Sequence, residues 1–400
     1  MTKKDSFGKK FAAPVVSLTI DGQNVQAAQG STLLEAARKS GVNIPSLCYL
    51  REINQVGACR ICVVEINNSP TLQAACVFPV SQGLVVRTNT KKIQDARRAV
   101  LELLLSNHPA DCFSCIRNLN CELQALAHEL NIREIRFAGD KIRIPLDTES
   151  AAIEREPEKC ILCYRCVSIC SKIVTANVYT MLNRGFKAFA APAFNRSLAD
   201  VSCTTCGKCV TVCPTAALRE KDQTEEVWAA LANPDLYVLV QTAPSIRVTI
   251  GEEFGMAYGT VMTGQMVSAL RKLGFDKVFD TDFTADMTIV EEGYEFLEKL
   301  QHNGPWPHLS SCSPGWVKFC EHFYPEFLGN ISTVKSPMSM FGALAKTFHA
   351  EALGIAPERI FVVGIMPCTA KKYEAARPEL SDSGLRNVDV VLTTLKTLCL

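Results

Sequence analysis

Cys160-Ile-Leu-Cys163-Tyr-Arg-Cys166-Val-Ser-Ile-Cys170 and Cys203-Thr-Thr-Cys206-Gly-Lys-Cys209-Val-Thr-Val-Cys213 have the same spacing, C-x2-C-x2-C-x3-C. Thiols two or three residues apart suit one metal centre better than pairwise disulfides. The polar start, Met1–Lys10, is followed by no apolar run long enough for an export signal, so we expect a reducing, cytoplasmic setting in which disulfides are rare. The repeat therefore predicts iron–sulfur centres.

The fourth cysteine of each run is expected to serve the other centre, because two-cluster ferredoxins cross their ligands in this way. The first [4Fe-4S] cluster would then be bound by Cys160, Cys163, Cys166 and Cys213. The second would be bound by Cys203, Cys206, Cys209 and Cys170. Pro214 follows Cys213 as in the bacterial pattern, whereas Ser171 follows Cys170.

Composition limits the possible partners. The chain carries 42 Lys and Arg against 41 Asp and Glu, so it has no basic excess with which to bind nucleic acid or an anionic membrane. Its 48% hydrophobic content is ordinary for a folded protein, and no apolar stretch is long enough to span a bilayer. Nineteen cysteines in 400 residues are the anomaly that needs a function.

An amino-terminal domain, residues 14–92, is expected to carry a two-iron centre. Strands at 15–20 and 25–28 joined at Asp21-Gly22, then a helix with a Thr32/Glu35 capping box, give the order of a β-grasp ferredoxin. The thiols that follow can bind one [2Fe-2S] cluster: Cys48, Cys59, Cys62 and Cys76. A structural zinc ion with four cysteines is the alternative.

A second motif follows a predicted amphipathic helix at 91–107, within a domain at 93–134. His108, Cys112, Cys115 and Cys121 form H-x3-C-x2-C-x5-C, which predicts a histidine-ligated [4Fe-4S] cluster. Zinc with three cysteines and one histidine has the same ligand set and remains the alternative. Residues 135–224 would form the two-cluster ferredoxin domain, which brings the total to one [2Fe-2S] and three [4Fe-4S] clusters.

The remaining residues, 225–400, have the sequence pattern of an α/β domain. Apolar runs at 236–240, 360–363 and 388–392 alternate with helical stretches at 263–273 and 285–300, which predicts a parallel sheet covered by helices. Segments 241–244, 310–314 and 366–369 follow strand-like runs. Ligands in such folds bind at the carboxyl ends of strands.

From about residue 15 onward the chain resembles the catalytic subunit of modular [FeFe]-hydrogenases, with NADH-dehydrogenase-like ferredoxin domains. The segments Gln241–Arg247 and Phe279–Phe283 are close to phrases of that family, and Met366–Glu379 matches its second signature. The resemblance implies an α+β multidomain fold that ends in a partial hydrogenase-like α/β domain. It also implies that Cys368 would bind the active-site cubane, that Lys371 would contact a diatomic ligand of the binuclear iron, and that Cys312 would be the proton donor.

Two departures weigh against hydrogen chemistry. The family's first signature has a second cysteine where this chain has Ser313, and a neutral hydroxyl is a poor substitute for a thiolate on iron. The sequence also ends at Leu400, before a third signature with two further cubane cysteines. We therefore expect no hydrogen-activating H-cluster. Glu292, Glu295 and Ser332 align with the family's proton path, but we expect two surface carboxylates and a loop hydroxyl. Cys320 and Cys399 are expected to be ordinary thiols.

The function expected from the sequence is electron transfer within a cytoplasmic hetero-oligomeric complex. Similar subunits work with an NAD-binding flavoprotein and a further redox enzyme of the formate dehydrogenase or hydrogenase type, and soluble ferredoxin is another possible partner. The alternative is the catalytic subunit of an NAD(P)-linked [FeFe]-hydrogenase. A scaffold that keeps its metal sites only for folding is a third, weaker interpretation.

Overall fold

A computed structural model describes residues 14–137, 139–382 and 384–397, and Cys399 lies outside them. The chain forms two units. The first unit comprises Met1–Leu146, Arg155–Arg196 and Lys208–Leu218, and the second comprises Asp147–Glu154, Ser197–Gly207 and Arg219–Leu400. Two short strands, Ile153–Arg155 and Leu218–Glu220, lie where the chain passes between the units.

The first unit begins with a five-stranded mixed sheet. In spatial order its strands are Gln23–Ala28, Val15–Ile20, Val85–Arg87, Val63–Ile66 and Gln73–Ala74. The first two pair antiparallel, whereas Val15–Ile20 pairs parallel with Val85–Arg87. Alternate residues of Val15–Ile20 face inward and pack on the helix Leu33–Lys39, which begins at the predicted Thr32/Glu35 capping box. This is the predicted β-grasp arrangement.

The rest of the first unit is built from helices and short turns around loops that carry cysteines. The predicted helix at 91–107 is confirmed as Lys91–Asn107. The other helices and helical turns are Cys112–Ser114, Glu122–Glu129, Pro157–Lys159, Arg165–Ile169, Cys170–Val174, Gly185–Lys187, Ala193–Asn195 and Lys208–Val212, and two further strands are Thr180–Leu182 and Phe189–Ala191. A shared apolar core joins several of these elements: Leu47, Cys48, Cys59, Ile61, Leu101, Leu123, Leu126, Leu130, Ile161 and Cys163.

The second unit contains the predicted parallel sheet. Its strands, in spatial order, are Lys277–Asp280, Tyr237–Thr242, Ile360–Ile365 and Val390–Leu392. All three pairings are parallel, and the central two strands are almost entirely buried, as expected of a sheet covered on both faces. The strand Lys277–Asp280 was not predicted.

Helices surround that sheet. The predicted helices at 263–273 and 285–300 are found as Thr263–Leu273 and Asp282–Gln301. The remaining helices and turns are Thr224–Ala232, Ile246–Thr249, Ile250–Phe254, Pro314–Phe323, Pro325–Asn330, Pro337–Leu344, Ala345–His349, Ala350–Leu353, Pro357–Arg359, Ala370–Ala375, Pro378–Leu380 and Thr394–Thr397, with a small strand pair at Ser381–Asp382 and Leu385–Arg386.

The position predicted for segment 310–314 is wrong. Segments 241–244 and 366–369 lie at the carboxyl ends of Tyr237–Thr242 and Ile360–Ile365, but 310–314 follows no strand of the sheet. A single bridge between Leu309 and Ile331 precedes it, and Pro314 then starts a helix. Across the described part of the chain, no helix combines the length and apolar character needed to cross a bilayer.

Candidate metal centres

Four cysteines of the β-grasp region come together as the two-iron motif requires. All are buried: Cys48, Cys59, Cys62 and Cys76. The Cys48 thiol is hydrogen-bonded to Cys59 and Cys76, and Cys76 is also hydrogen-bonded to Cys62. Cys62 immediately precedes the strand Val63–Ile66, so the sheet fixes one side of the site. The donor set is therefore four buried thiols, which fits a two-iron cluster.

The protonation of these thiols is asymmetric. The hydrogen bond with Cys76 lowers the pKa of Cys62 to about 7. Hydrogen bonds from Cys59 and Cys76 likewise lower the pKa of Cys48, and the thiols of Cys59 and Cys76 have raised pKa values because they donate those bonds. The backbone N–H of Leu47 also donates to Cys59 Sγ at 3.4 Å. Cys48 and Cys62 are therefore shifted towards the thiolate, which is the form that binds metal, whereas Cys59 and Cys76 are shifted towards the protonated thiol.

The histidine–cysteine motif gathers at the end of a helix. His108 is the C-cap of Lys91–Asn107, and Cys121 is the N-cap of Glu122–Glu129. Nδ1 of His108 is buried and has no hydrogen-bond partner. Burial lowers the pKa of His108 to about 4, so the imidazole is neutral with an available lone pair. A buried, unpartnered imidazole nitrogen beside three cysteines fits a metal ligand.

The three thiols of this motif differ in exposure. Cys112 is exposed, whereas Cys115 and Cys121 are half-buried. Burial first, and then the neighbouring Cys121 and Cys115, raise the pKa of Cys112, so the three side chains are close enough to interact.

The first ferredoxin repeat lines a narrow apolar cavity in the first unit. Its walls include all four predicted ligands of the first [4Fe-4S] cluster: Cys160, Cys163, Cys166 and Cys213. Tyr164, Tyr179 and Pro214 close the cavity. Cys213 therefore lies in the same cavity as the three earlier cysteines, although it comes from the second run of the repeat.

The predicted ligands of the second [4Fe-4S] cluster are distributed over both units. In the first unit, Val178 N–H donates to Cys170 Sγ at 3.3 Å, and the hydroxyl of Tyr179 lies 3.6 Å from Cys209 Sγ. Cys203 and Cys206 belong to Ser197–Gly207 of the second unit, where Cys203 is buried and Cys206 is half-buried.

The ligand types at the two amino-terminal motifs are common to iron–sulfur clusters and to structural zinc, which binds four cysteines or three cysteines and one histidine. The side-chain positions at these motifs are compatible with either group.

Three polar residues that the sequence did not single out connect the cysteine loops of the first unit. Asn54 is fully buried and donates to the carbonyl oxygens of Cys48 and Cys163, at 2.7 and 2.9 Å. Arg165 forms a bidentate ion pair with Glu122, at 2.6 and 2.8 Å. The contacts of Asn54 with Cys163 and of Arg165 with Glu122 join segments that are distant in sequence, so only the fold reveals them.

Lys159 is the third of these residues. It is 3% exposed, and its Nζ lies 3.7 Å from Cys115 Sγ. The same Nζ lies 2.9 Å from Asp111 and 3.1 Å from Glu156. Although burial opposes it, hydrogen bonds to these carboxylates raise the pKa of Lys159.

The second unit holds the hydrogenase-like residues. Lys371 donates to the carbonyl oxygen of Cys312 at 3.0 Å and to Ser336 Oγ at 2.9 Å, and it pairs with Glu374 at 2.7 Å. The thiol-bearing Cys312 is exposed, and Cys368 is half-buried. Ser313 is exposed as the N-cap of Pro314–Phe323, and its side chain makes no capping bond.

The carboxylates predicted to lie at the surface are not fully solvent-facing. Ser332 is buried and donates to Glu295 at 2.5 Å, and the Glu295 side chain is 15% exposed. Although burial opposes it, the bonds from Ser332 and Lys299 lower the pKa of Glu295. Glu292 is half-buried and accepts from Ser310 at 2.8 Å. Ser332 lies in a loop, as expected, but it is buried against the helix Asp282–Gln301, so the neighbouring Glu295 carboxylate is largely shielded from solvent.

Within the second unit, the loop with Cys203 and Cys206 packs on both signature segments. Thr369 donates to the carbonyl oxygen of Thr205 at 2.8 Å. Gly207 has φ +71°, and a Cβ there would lie 2.5 Å from Thr369 Oγ1. Gly315 approaches Cys206 from the other signature, since a Cβ at Gly315 would lie 3.9 Å from that of Cys206. Cys320 is fully buried and donates to the Tyr324 carbonyl oxygen at 3.2 Å.

Three family profiles match the chain in order. Residues 13–91 match the 2Fe-2S iron-sulfur cluster binding domain, residues 97–136 the NADH-ubiquinone oxidoreductase-G iron-sulfur binding region, and residues 236–398 the iron only hydrogenase large subunit, C-terminal domain.

Two of the curated relatives match nearly the whole chain, and a third matches about half of it. NADP-reducing hydrogenase subunit HndD of Solidesulfovibrio fructosivorans is 50% identical over 391 residues, which are 95% of this chain and 67% of that protein. Iron hydrogenase 1 of Clostridium pasteurianum is 38% identical over 381 residues, 94% of this chain and 66% of that protein. The alpha subunit of NADPH-Fe(3+) oxidoreductase of Geobacter sulfurreducens is 36% identical over 207 residues, 52% of this chain and 24% of that protein. The chain thus spans about two thirds of the length of the first two relatives.

Proposed function

This chain belongs to the iron-only hydrogenase family, with iron–sulfur domains like those of NADH dehydrogenase, and we propose that it is the electron-transfer subunit of a cytoplasmic oxidoreductase complex. Its partners would be an NAD-binding flavoprotein or soluble ferredoxin on one side. On the other side would be an enzyme of the hydrogenase or formate dehydrogenase type. The proposal includes the four-domain division at residues 14–92, 93–134, 135–224 and 225–400.

The observation that supports this proposal most strongly is the gathering of thiols in the first unit. Four buried cysteines contact one another at the two-iron motif, and four more line one apolar cavity. Separate pairs of cysteines would suffice for disulfides, whereas two groups of four match the ligand count of iron–sulfur clusters. We assign the first group to one [2Fe-2S] cluster and the second to one [4Fe-4S] cluster.

When bound, the clusters supply reversible one-electron chemistry. The chain's own residues provide thiolates, exclude water and direct backbone N–H groups at sulfur. Leu47 N–H does this for Cys59, and Val178 N–H for Cys170. Hydrogen bonds to sulfur and burial are the means by which a protein adjusts reduction potential.

The hydrogen site of the family is a poor fit to the residues present. Ser313 offers an exposed hydroxyl where the family has a cubane thiolate, and the nearby thiols are Cys312 and Cys368. A neutral hydroxyl does not replace an anionic thiolate on iron. We therefore propose that hydrogen activation is not the role of this chain.

A second candidate function, catalysis in an NAD(P)-linked [FeFe]-hydrogenase, is favoured by one set of contacts. Glu295 is bound to Ser332, Glu292 is bound to Ser310, and Lys371 is held beside Cys312. These are the family's proton-path and active-site positions, and they retain hydrogen-bond partners.

One experiment separates the two functions. The full chain is purified anaerobically and separated from its partner subunits, and hydrogen uptake, iron content and infrared spectra are measured on the same sample. Electron transfer alone predicts no uptake, no carbonyl or cyanide bands and about fourteen irons per chain, from one two-iron and three four-iron clusters. Uptake with about six more irons would establish the catalytic alternative.

A matched pair of variants tests the cluster assignment itself. Cys166→Ser removes a thiol from the cavity wall and should lower the iron content by about four irons per chain, with loss of one cluster's spectroscopic signal. Cys320→Ser removes another buried thiol, in the second unit, and should leave the iron content unchanged. Equal iron contents in the two variants would reject the assignment.

A further inference from the structure

A buried cation lies against the histidine–cysteine motif. The ammonium group of Lys159 is 3.7 Å from Cys115 Sγ, within hydrogen-bonding reach of a sulfur acceptor, and the residue is 3% exposed. The charged end of this side chain is therefore shielded from bulk water where it meets the sulfur.

The fold fixes this lysine from both ends. Its carbonyl oxygen accepts a hydrogen bond from Thr215 Oγ1 at 2.8 Å, and the next residue, Cys160, lines the ferredoxin cavity. Its side chain extends the other way, to Cys115 and Asp111. The backbone of Lys159 therefore adjoins the predicted first [4Fe-4S] site, whereas its side chain contacts the histidine–cysteine motif.

The contact between Lys159 and Cys115 differs from a surface ion pair because the ammonium group is buried. Burying an ammonium is costly unless it is paired, and Asp111 and Glu156 provide that pairing at 2.9 and 3.1 Å. Both carboxylates remain partly exposed, at 39% and 21% of their side chains, so water screens them more than it screens the lysine. Positive charge near Cys115 is thus less screened than the negative charges that balance it.

We propose that Lys159 is a positioning residue that raises the reduction potential of the centre bound by His108, Cys112, Cys115 and Cys121. Reduction would add an electron to a cluster whose thiolate ligands already carry negative charge. A buried ammonium on one ligand sulfur stabilises the reduced state more than the oxidised state, because the interaction strengthens as the sulfur becomes more negative. The inference rests on the proposed function, since it requires a cluster at this motif.

The test is an EPR-monitored redox titration of the anaerobically purified full chain, with the [2Fe-2S] signal as internal reference. Lys159→Met should disfavour reduction of the histidine–cysteine centre about tenfold, which is a fall of about 59 mV for a one-electron couple. Lys159→Arg retains the charge and should stay within about threefold of the wild type.

Two further variants test the direction of the potential shift and whether it depends on the position of the charge. Asp111→Asn removes a balancing carboxylate and should shift the same centre in the opposite direction, towards easier reduction. Lys141→Met is the matched control, because Lys141 is an exposed lysine that donates to the His108 carbonyl oxygen at 3.3 Å. It should leave the potential within about threefold.

The outcomes are distinguishable. An iron-replete Lys159→Met chain with an unshifted centre, or an equal shift of all centres, would overturn the inference. If Lys159→Met fails to fold, Asp111→Asn decides, and an unchanged potential there would overturn it equally. A wild-type chain that lacks any signal of a histidine–cysteine cluster would instead overturn the proposed function at this motif, and the inference with it.

Discussion

Asn54 donates a hydrogen bond from Nδ2 to the carbonyl oxygen of Cys163 at 2.9 Å, across 109 positions of sequence. The same amide nitrogen donates to the Cys48 carbonyl oxygen at 2.7 Å, and Oδ1 accepts from Ser168 at 2.7 Å. One fully buried side chain therefore joins the loop of the two-iron motif to the loop of the first four-iron motif.

Replacing this amide should weaken the junction. Asn54→Leu leaves two carbonyl oxygens and the Ser168 hydroxyl without their partner, at a cost of about 1–3 kcal/mol in the free energy of unfolding for each unsatisfied buried group. Chemical denaturation followed by bleaching of the visible iron–sulfur absorbance would measure it. Asn24→Leu is the matched control, because Asn24 is exposed and its side chain makes a 3.5 Å contact with Thr19. A loss of stability no greater than that of the control would contradict the bridging role of Asn54.

The ligand type at residue 108 should set the charge of its cluster. His108→Cys replaces a neutral imidazole with a thiolate, so the added negative charge should lower the midpoint potential of that centre. Redox titration by EPR would measure the shift. His128→Cys introduces a cysteine at an exposed histidine of the helix Glu122–Glu129 and should shift nothing. An unchanged or higher potential in the His108 variant would argue against His108 as a ligand.

Gly207 should tolerate no side chain. Its φ of +71° costs about 1–2 kcal/mol for alanine, and a Cβ 2.5 Å from Thr369 Oγ1 adds about 1–3 kcal/mol of overpacking. Gly255→Ala isolates the first effect, because Gly255 has φ +72° and nothing within 4 Å of its Cβ position.

Tryptophan fluorescence can follow this unfolding, since Trp228, Trp306 and Trp316 all lie in the second unit. Gly207→Ala should therefore destabilise that unit more than Gly255→Ala does, and Thr369→Ala should recover part of the difference. Equal losses in the two glycine variants would remove the evidence for close packing of this loop on the signature segment.

A buried lysine should make the second unit more stable in mild alkali. Burial lowers the pKa of Lys372 to about 8, although Glu220 and Asp222 oppose the shift. Between pH 8 and the ordinary lysine value of 10.5, the unfolded chain binds a proton that the folded chain has released, so stability rises with pH.

The expected gain attributable to Lys372 across this window is about 3 kcal/mol at most. Tryptophan-monitored denaturation at pH 8 and pH 10 would measure it, and Lys372→Met should lose this rise. If the variant keeps the same slope with pH, another group is responsible.

Local patterns in the sequence predicted much of this architecture. The Thr32/Glu35 capping box, the helix Lys91–Asn107 and the parallel sheet that contains Tyr237–Thr242 and Ile360–Ile365 all follow from capping chemistry and the pattern of apolar residues. Spacing likewise grouped the cysteines, because ligands of one cluster recur at short, regular intervals.

Local sequence patterns could not predict contacts between segments that are distant in sequence. The partners of Asn54 and Lys159 lie on loops whose approach depends on the completed fold. The strand Lys277–Asp280 is four residues long and only half-buried, so it lacks the apolar run that identified its neighbours. Ser332 lies in a loop as predicted, but its burial was not foreseen, because the neighbouring residues in sequence do not reveal the helix that covers it.

The shared apolar core has a consequence for how this protein could have been assembled in evolution. Leu47 and Ile61 come from the β-grasp region, Leu101 and Leu123 from the histidine–cysteine region, and Ile161 from the ferredoxin repeat, yet they pack as one core. A recombination break at residue 92 or 134 would split that core and leave apolar surface on both fragments. The amino-terminal modules are therefore expected to be inherited as a block, with exchange between lineages confined to breakpoints outside it.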